Sequence, residues 1–446
     1  MTSKYYIGPM SKNIVDAIID FCESTDNQIG LIPSRRQVEN TGGYVNNWTT
    51  KEFSEYVRSK SKNIILKRDH AGPGQGLLDD DGYESLSEDC NYLDLIHIDP
   101  WKKYPILEEG LKQTVNMINY CHNLNPDIEY EVGTEEAIRR FGLKELDYFV
   151  SELQNRLRPE VFHQIKHLVI QSGTSLKGNN QTGEYNSTRL KAMIDIGKKY
   201  NLLTKEHNGD YIPVDTINGK FKLGLDAINI APEFGLIETQ TYLDQMEENS
   251  DIFNQFYQLC YDSKRWVKWV NDDFDPIHNK TDLIKISGHY VLSNPEFKEI
   301  KQNYPNIDNV IKQNVIKKLN SLYGYHYVDT RPKTIFCDID GTLVTHHAPT
   351  ENTRFDVKLE LLEGTVEKLT EWDAKGYNII LTTGRKESMR AATEKQLSEV
   401  GIFYNQLIMG IGGGPRILIN DNKPNGAEYA SAINIKRNKG IKDIQL

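Results

Sequence analysis

Two aspartates, Asp338 and Asp340, follow a short apolar run, Thr334-Ile335-Phe336-Cys337, and lead into Gly341-Thr342-Leu343. Carboxylates this close together at the carboxyl end of a strand can divide the work of phosphate-ester hydrolysis. One attacks phosphorus and binds a hard cation, and the other hands a proton to the leaving oxygen. A second apolar run, Tyr377-Asn378-Ile379-Ile380-Leu381, enters Thr382-Thr383-Gly384-Arg385, where the Thr383 hydroxyl and the backbone at Gly384 can meet phosphoryl oxygens. A third, Ile417-Leu418-Ile419, reads as a strand delivering Asn420-Asp421. The Asp421 carboxylate then completes a Mg²⁺ site of hard oxygens with Asp338 and the backbone carbonyl of Asp340. Few residues separate Asp340 from Thr383, so no large cap is expected. His346-His347 in that stretch read as a surface loop.

A second constellation lies earlier. Asp69-His70, His97 with Asp99, Glu131 with Glu135-Glu136, Gln171-Ser172, Lys205-Glu206-His207 and Asn229 each close an apolar run. Imidazole and carboxylate gathered on one rim are the ligand types of a divalent-metal Lewis-acid site. The runs that would carry them are Gln28–Pro33, Asn63–Asp69, Asp94–Asp99, Ile128–Gly133, His167–Gly173, Asn201–His207, Asp226–Ala231 and Leu283–Tyr290. Strand, turn and helical stretch alternate throughout, which predicts a TIM barrel with its chemistry at the strand ends. For phosphate, the glycines Gly173 and Gly209 offer backbone N–H groups and Lys177 or Lys205 adds charge. Arg35-Arg36 are candidates for a second phosphate.

At 446 residues the chain is long enough for two domains, expected at 1–325 and 326–446, giving an α/β protein: a (β/α)8 barrel followed by a small Rossmann-like domain. Its five cysteines show no CxxC spacing, which predicts neither a disulfide framework nor a thiolate zinc site. A net charge of −10 argues against a nucleic-acid surface. No apolar run reaches the length of a membrane span, and the first ten residues lack a leader pattern, so a cytoplasmic protein without a membrane partner is expected.

The order DxDGT, a strand ending in T-G-R, then N-D resembles the haloacid-dehalogenase phosphatases. The resemblance implies Asp338 as nucleophile, Asp340 as acid/base, Thr383 as phosphate-binding hydroxyl, Asp421 as Mg²⁺ ligand, and Arg416 or Lys386 as the basic residue, with Arg416 favoured by its place beside Pro415 and Ile417. Upstream, Trp48-Thr49-Thr50-Lys51-Glu52-Phe53, Arg68-Asp69-His70-Ala71-Gly72-Pro73, Tyr130-Glu131-Val132-Gly133-Thr134-Glu135 and His289-Tyr290-Val291-Leu292-Ser293-Asn294-Pro295 resemble the tagatose-bisphosphate aldolase non-catalytic subunits, relatives of the class II ketose-bisphosphate aldolases. That resemblance implies Asp69 as acid/base, His70 and His207 as ligands of Zn²⁺ or another divalent cation, Glu131 near the metal, and Asn229 near the substrate. It also exposes departures. Gln171-Ser172 stands where a ligand histidine belongs and Ala231 where an aspartate belongs, leaving His70, Glu131 and His207 as the ligand set by substitution, with Glu233 or His97 in reserve.

Together these readings predict a bifunctional enzyme acting on phosphorylated sugars. A metal-dependent aldol reaction of dihydroxyacetone phosphate with an aldehyde would be coupled to phosphate removal, with biosynthesis of a polysaccharide or capsule sugar as a suitable setting and a homo-oligomer as the expected assembly. The competing readings are a phosphatase whose barrel only binds or oligomerises, and a barrel that isomerises or epimerises using Asp69 and Glu131.

Overall fold

The structure is a computed structural model and describes residues 3–324, 332–348, 357–419 and 430–444. The chain forms two compact units, an N-terminal one and a C-terminal one that takes up beyond residue 326.

The first unit is a closed barrel of eight parallel strands: β1 (Tyr5–Ile7), β2 (Ile29–Leu31), β3 (Ile64–Ala71), β4 (Leu95–Ile98), β5 (Glu129–Val132), β6 (Ile165–Ile170), β9 (Leu203–Glu206) and β10 (Ala227–Ile230). A two-residue hairpin, β7 (Leu176–Lys177) and β8 (Asn180–Gln181), interrupts the loop after β6. The barrel strands are largely buried on both faces, as a parallel sheet wrapped in helices requires, and they carry buried polar and charged residues such as Lys67, Arg68, Glu131 and Lys205 among their apolar ones. Some of the helices between the strands are capped at their start by side chains. Ser11 accepts from the Ile14 amide ahead of the helix Lys12–Thr25, and Thr49 with Glu52 forms a reciprocal cap on Thr50–Arg58. The barrel interior is crowded. Tyr6 lies over Gly30, and a Cβ added there would stand 2.0 Å from its ring.

Seven of the barrel strands coincide with runs predicted from the sequence. The eighth does not: Leu283–Tyr290 is the helix Lys280–Ser287 followed by a 3₁₀ turn, and barrel closure is completed by Tyr5–Ile7. Leu283, Ile284 and Ser287 are buried together, a helical spacing rather than alternation.

The second unit has a parallel sheet in the order β11 (Thr334–Asp338), β12 (Asn378–Thr382), β13 (Gln406–Ile408) among the described residues. Its core gathers Cys337, Ile339, Leu343, Leu369, Trp372, Ile379 and Leu381. Ile417-Leu418-Ile419 is not the third strand; the three residues are 86%, 66% and 91% exposed, and Gln406–Ile408 pairs with β12 instead. Pro415, lacking a backbone N–H, and the glycines before it disfavour ladder pairing there. All five cysteines are buried and free. No helix among the described residues is long and apolar enough to cross a membrane.

Candidate active sites

In the barrel, the chain bends out of register at the end of β3, between Arg68 and Ala71, and His70 takes a left-handed backbone (φ 49°). Such a conformation is disfavoured for a residue with a Cβ, and strained positions of this kind gather at functional sites. The bend turns both Asp69 and His70 toward the barrel mouth, where they meet His97 from β4 and His207 just after β9. One potential ligand atom from each of these four residues lies within 4.8 Å of the other three.

Each imidazole is tied down through one ring nitrogen, and His97 Nδ1 in addition accepts from the His70 amide at 3.3 Å. His70 Nδ1 is 2.6 Å from Asp99 Oδ2, His97 Nε2 is 3.0 Å from the Gly133 carbonyl, and His207 Nε2 is 2.8 Å from Glu131 Oε1. Their other nitrogens converge on the Asp69 carboxylate: His70 Nε2 at 3.7 Å, His97 Nδ1 at 3.9 Å and His207 Nδ1 at 4.0 Å. Orienting one ring nitrogen through a carboxylate or carbonyl, so that the other presents a lone pair, is how metal-binding histidines are held. Three imidazoles and a carboxylate are a donor set suited to Zn²⁺.

The electrostatics agree with a cation-seeking pocket. Burial opposes charge on His70, but Asp69, Asp99 and Glu135 outweigh it and lift its pKa to about 10. Asp69 is held well below the carboxylate range despite its burial, by His70, His97, His207 and Lys67. Burial lowers His207 to about 4, against the pull of Glu131 and Asp69.

Glu131 is not in the ligand cluster. One oxygen accepts from His207, and the other lies 2.5 Å from Lys67 Nζ and 3.3 Å from Lys205 Nζ, all fully buried. It therefore orients His207, and His97 takes the place in the cluster that the sequence reading gave to Glu131. Glu233, the other reserve ligand, is bound to Lys318 and the Tyr211 amide instead. Gln171 is consumed by backbone groups at Phe141, Thr134 and Arg139.

The expected substrate and phosphate contacts divide. Asn229 Nδ2 donates to Asp69 Oδ1 at 3.2 Å, which places it at the cluster. Gly173 lines a cavity of about 150 Å³ with Tyr185, Tyr211 and Lys220. The Gly209 N–H is taken by the Asn229 carbonyl at 2.8 Å, so it is not a phosphate donor here. Arg35 is also spoken for, donating to Glu39, Asp80 and the Gly72 carbonyl. Lys177 is exposed on the hairpin beside a groove bordered by Trp269 and Phe274, and Lys205 is locked beneath the cluster.

In the second unit, parallel pairing sets Asp338 beside Thr382 at the carboxyl ends of their strands. Thr383 Oγ1 is 3.3 Å from Asp340 Oδ2, Thr342 Oγ1 is 3.3 Å from Asp338 Oδ2, and Arg416 Nη2 is 3.0 Å from Asp338 Oδ1. Gly384 turns the loop against Gly412, whose carbonyl oxygen lies 3.1 Å from where a Cβ would stand. Arg385, given no role by the sequence reading, grips Asp340 with a two-bonded fork (2.9 and 2.6 Å) and is itself fixed by Gln396 at 2.9 Å. Its place in the T-G-R string was visible; its direction was not. Asp421 lies outside the described residues. The oxygens of Asp338 and Asp340 are the hard donors Mg²⁺ prefers.

Residues 332–410 match the family model described as the polynucleotide kinase PNKP phosphatase domain, HAD_PNKP. Among solved structures, a probable tagatose 6 phosphate kinase from Sinorhizobium meliloti 1021 aligns over 73% of this chain and 100% of its own, with a TM-score of 0.57 at 14% identity. The chain thus joins a closed eight-stranded parallel barrel to a C-terminal domain that matches a HAD phosphatase model. Fructose-bisphosphate aldolase from Campylobacter jejuni aligns over 73% of this chain and 90% of its own, with a TM-score of 0.48 at 13% identity. No curated protein matches the chain. At 14% identity the Sinorhizobium alignment speaks for the fold of the barrel alone, and the family match speaks for the C-terminal domain.

Proposed function

We propose that the protein is a bifunctional sugar-phosphate enzyme. The barrel makes or breaks a carbon–carbon bond in a ketose phosphate, and the C-terminal domain hydrolyses a phosphate monoester. The observation that carries this reading is the convergence of His70, His97 and His207 on Asp69, each ring fixed from behind.

In the cleavage direction, Asp69 is positioned to take the proton from the hydroxyl at the bond to be broken. The electrons of that bond pass into the ketose carbonyl, leaving an enediolate and releasing the aldehyde. A divalent cation held by the three histidines would supply the positive charge that stabilises the developing oxyanion. Asn229 holds the Asp69 carboxylate from the side, and the enediolate takes a proton at carbon to give triose phosphate.

In the second domain, an Asp338 oxygen attacks phosphorus as the ester P–O bond breaks, and the leaving oxygen takes a proton from Asp340. Water, deprotonated by Asp340, then releases phosphate from the aspartyl ester. Thr383 and Arg416 meet the phosphoryl oxygens. Mg²⁺ on Asp338, the Asp340 carbonyl and Asp421 would neutralise phosphate charge when bound. Aldol addition is near balance and hydrolysis is strongly downhill, so the second reaction pulls the first.

The test is direct. With ketose phosphates and a divalent metal, the protein should release both triose phosphate and inorganic phosphate, and Asp338→Asn should release only the triose phosphate. Unchanged cleavage in His207→Ala would remove the metal site from the mechanism. The second reading, a phosphatase with a non-catalytic barrel, draws on Gln171 and Ala231 standing where the aldolase pattern has histidine and aspartate. It predicts no tightly held metal in the barrel and no triose phosphate.

A further inference from the structure

Residues 435–444 cross the C-terminal domain as a strap. Ile441 is buried in its core, with Ile435 and Ile444 packed against the same cluster. The Ile441 amide donates to the Glu363 carbonyl at 3.0 Å, and Lys442 Nζ donates to Glu363 Oε1 at 2.6 Å. Gly440 passes so near that a Cβ there would stand 2.3 Å from the Glu363 carbonyl oxygen. The strap is therefore fastened on both sides of a short exposed stretch, Lys436–Lys439.

That stretch lies on the loop leaving Asp340. It turns tightly, with the Lys439 amide donating to the Lys436 carbonyl at 3.2 Å. Asn438 meets the loop at both ends: its amide donates to the Gly341 carbonyl at 2.8 Å, and its Oδ1 accepts from the His346 amide at 2.9 Å. The fit is close. Arg437 Cγ lies 3.0 Å from where a Gly341 Cβ would stand. Asn438 adopts a left-handed backbone (φ 60°), a conformation that asparagine enters more readily than most residues with a Cβ. The Gly341 amide in turn donates to the Val344 carbonyl at 2.7 Å. Peptide planarity then sets the direction of the Asp340 carbonyl, which shares that peptide group. Both peptide groups of Gly341 are thus held, one within the loop and the other by Asn438.

Asn438 is exposed, so its hydrogen bonds compete with water and contribute little to stability. Their geometric effect is larger. Arg385 grips the Asp340 carboxylate, while the strap holds the Asp340 backbone through Gly341. We propose that Asn438 is a positioning residue of the phosphatase, stapling the two ends of the Gly341–His346 loop so that Asp340 stands where the leaving oxygen needs its proton. This assignment rests on the reading of Asp340 as acid/base. It brings into the site a residue from beyond the matched stretch 332–410.

The test is the initial rate of inorganic phosphate release by the full chain with Mg²⁺ from two esters. Fructose 1-phosphate has a sugar oxygen that must be protonated as it leaves, whereas the phenolate of p-nitrophenyl phosphate leaves with little help from an acid. Asn438→Gly keeps the left-handed backbone and its amide but removes the acceptor for His346. It should lower kcat/KM for fructose 1-phosphate at least about tenfold and for p-nitrophenyl phosphate by less than about threefold, with the melting temperature within about 3 °C of the parent. Asn438→Asp retains an acceptor and should restore the parent's ratio between the two esters. Equal losses on both esters, no loss on the sugar phosphate, or no rescue by Asn438→Asp overturns the positioning role while the phosphatase reading stands. A parent protein that hydrolyses neither ester overturns both.

Discussion

His207 Nε2 donates to Glu131 Oε1 across 2.8 Å, and the opposite oxygen of the same carboxylate faces two buried lysines, Lys67 and Lys205. One carboxylate therefore orients a histidine of the cluster and faces two lysines that have no access to water, of which Lys205 is driven toward its neutral form by burial and by Lys67 against the pull of Glu131. Glu131→Gln should weaken zinc binding by roughly 10–100-fold, the usual cost of losing an orienting partner. It should also destabilise the barrel by about 3–5 kcal/mol, because Lys67 at 2.5 Å loses its buried counter-charge. Competition of the protein with a zinc chelator and a denaturation curve read the two effects separately. Unaltered zinc affinity would show that Glu131 is only a structural counter-ion.

Arg385 and Arg416 should separate by stability. Arg416 is half exposed against a partly exposed Asp338, so Arg416→Ala should shift unfolding by less than about 1 kcal/mol while reducing phosphate release. Arg385 is buried, and its fork fixes the plane of Asp340. Arg385→Lys keeps the charge and loses the fork. A displacement of Asp340 on the order of 1 Å is enough to cost about 100-fold in turnover. Steady-state phosphate release with parallel melting curves gives the comparison, and full activity in Arg385→Lys would dismiss the positioning role.

Much of this arrangement could be read from the chain, and the gaps have physical causes. Runs such as Ile64-Ile65-Leu66 and Leu168-Val169-Ile170 announce buried strands because few other structures bury such residues on both faces. Tyr5–Ile7 is too short for periodicity to register, and Leu283-Ile284 imitates a strand because two adjacent apolar residues fit either period. That His70 and His207 would meet in one cluster was legible. The exchange of Glu131 for His97 was not, since it depends on Lys67 and Lys205 arriving beneath Glu131 from other strands. Arg35 failed as a phosphate contact for the same reason: its acceptor Asp80 lies forty-five residues away.

Arg68 and Asp89 form a fully buried pair, with Arg68 also donating to the Pro33 and Val38 carbonyls and to Thr50. This knot pins β3, just before the His70 bend, to the helix Tyr83–Tyr92 and to the loop after β2. Arg68→Met should cost about 3–5 kcal/mol by stranding Asp89, whereas Arg68→Met with Asp89→Leu should recover part of that loss. Urea unfolding of the three proteins provides the cycle. Equal stability of the single and double variants would mean that the backbone contacts, rather than the charge pair, carry the cost.

Glu238 gives the barrel a pH dependence away from the metal cluster. It is buried beside the helix Lys12–Thr25, accepting from Ser11 and from Asn13 Nδ2, and burial raises its pKa to about 7 against those hydrogen bonds. A carboxyl group with a folded pKa above its unfolded one binds more protons in the native state between those two values. Stability contributed by the neutral form is therefore full below the unfolded value, 4.5, declines as pH rises toward 7, and is gone above it. Glu238→Gln keeps an acceptor for Asn13 and a donor for Ser11 but carries no charge. It should match the parent near pH 4.5 and exceed it at pH 8 by about 1–3 kcal/mol, following roughly 1.4 kcal/mol per pKa unit with allowance for local relaxation. Melting curves of both proteins at the two pH values decide the matter: a gain that is the same at each would show that Glu238 does not titrate on unfolding.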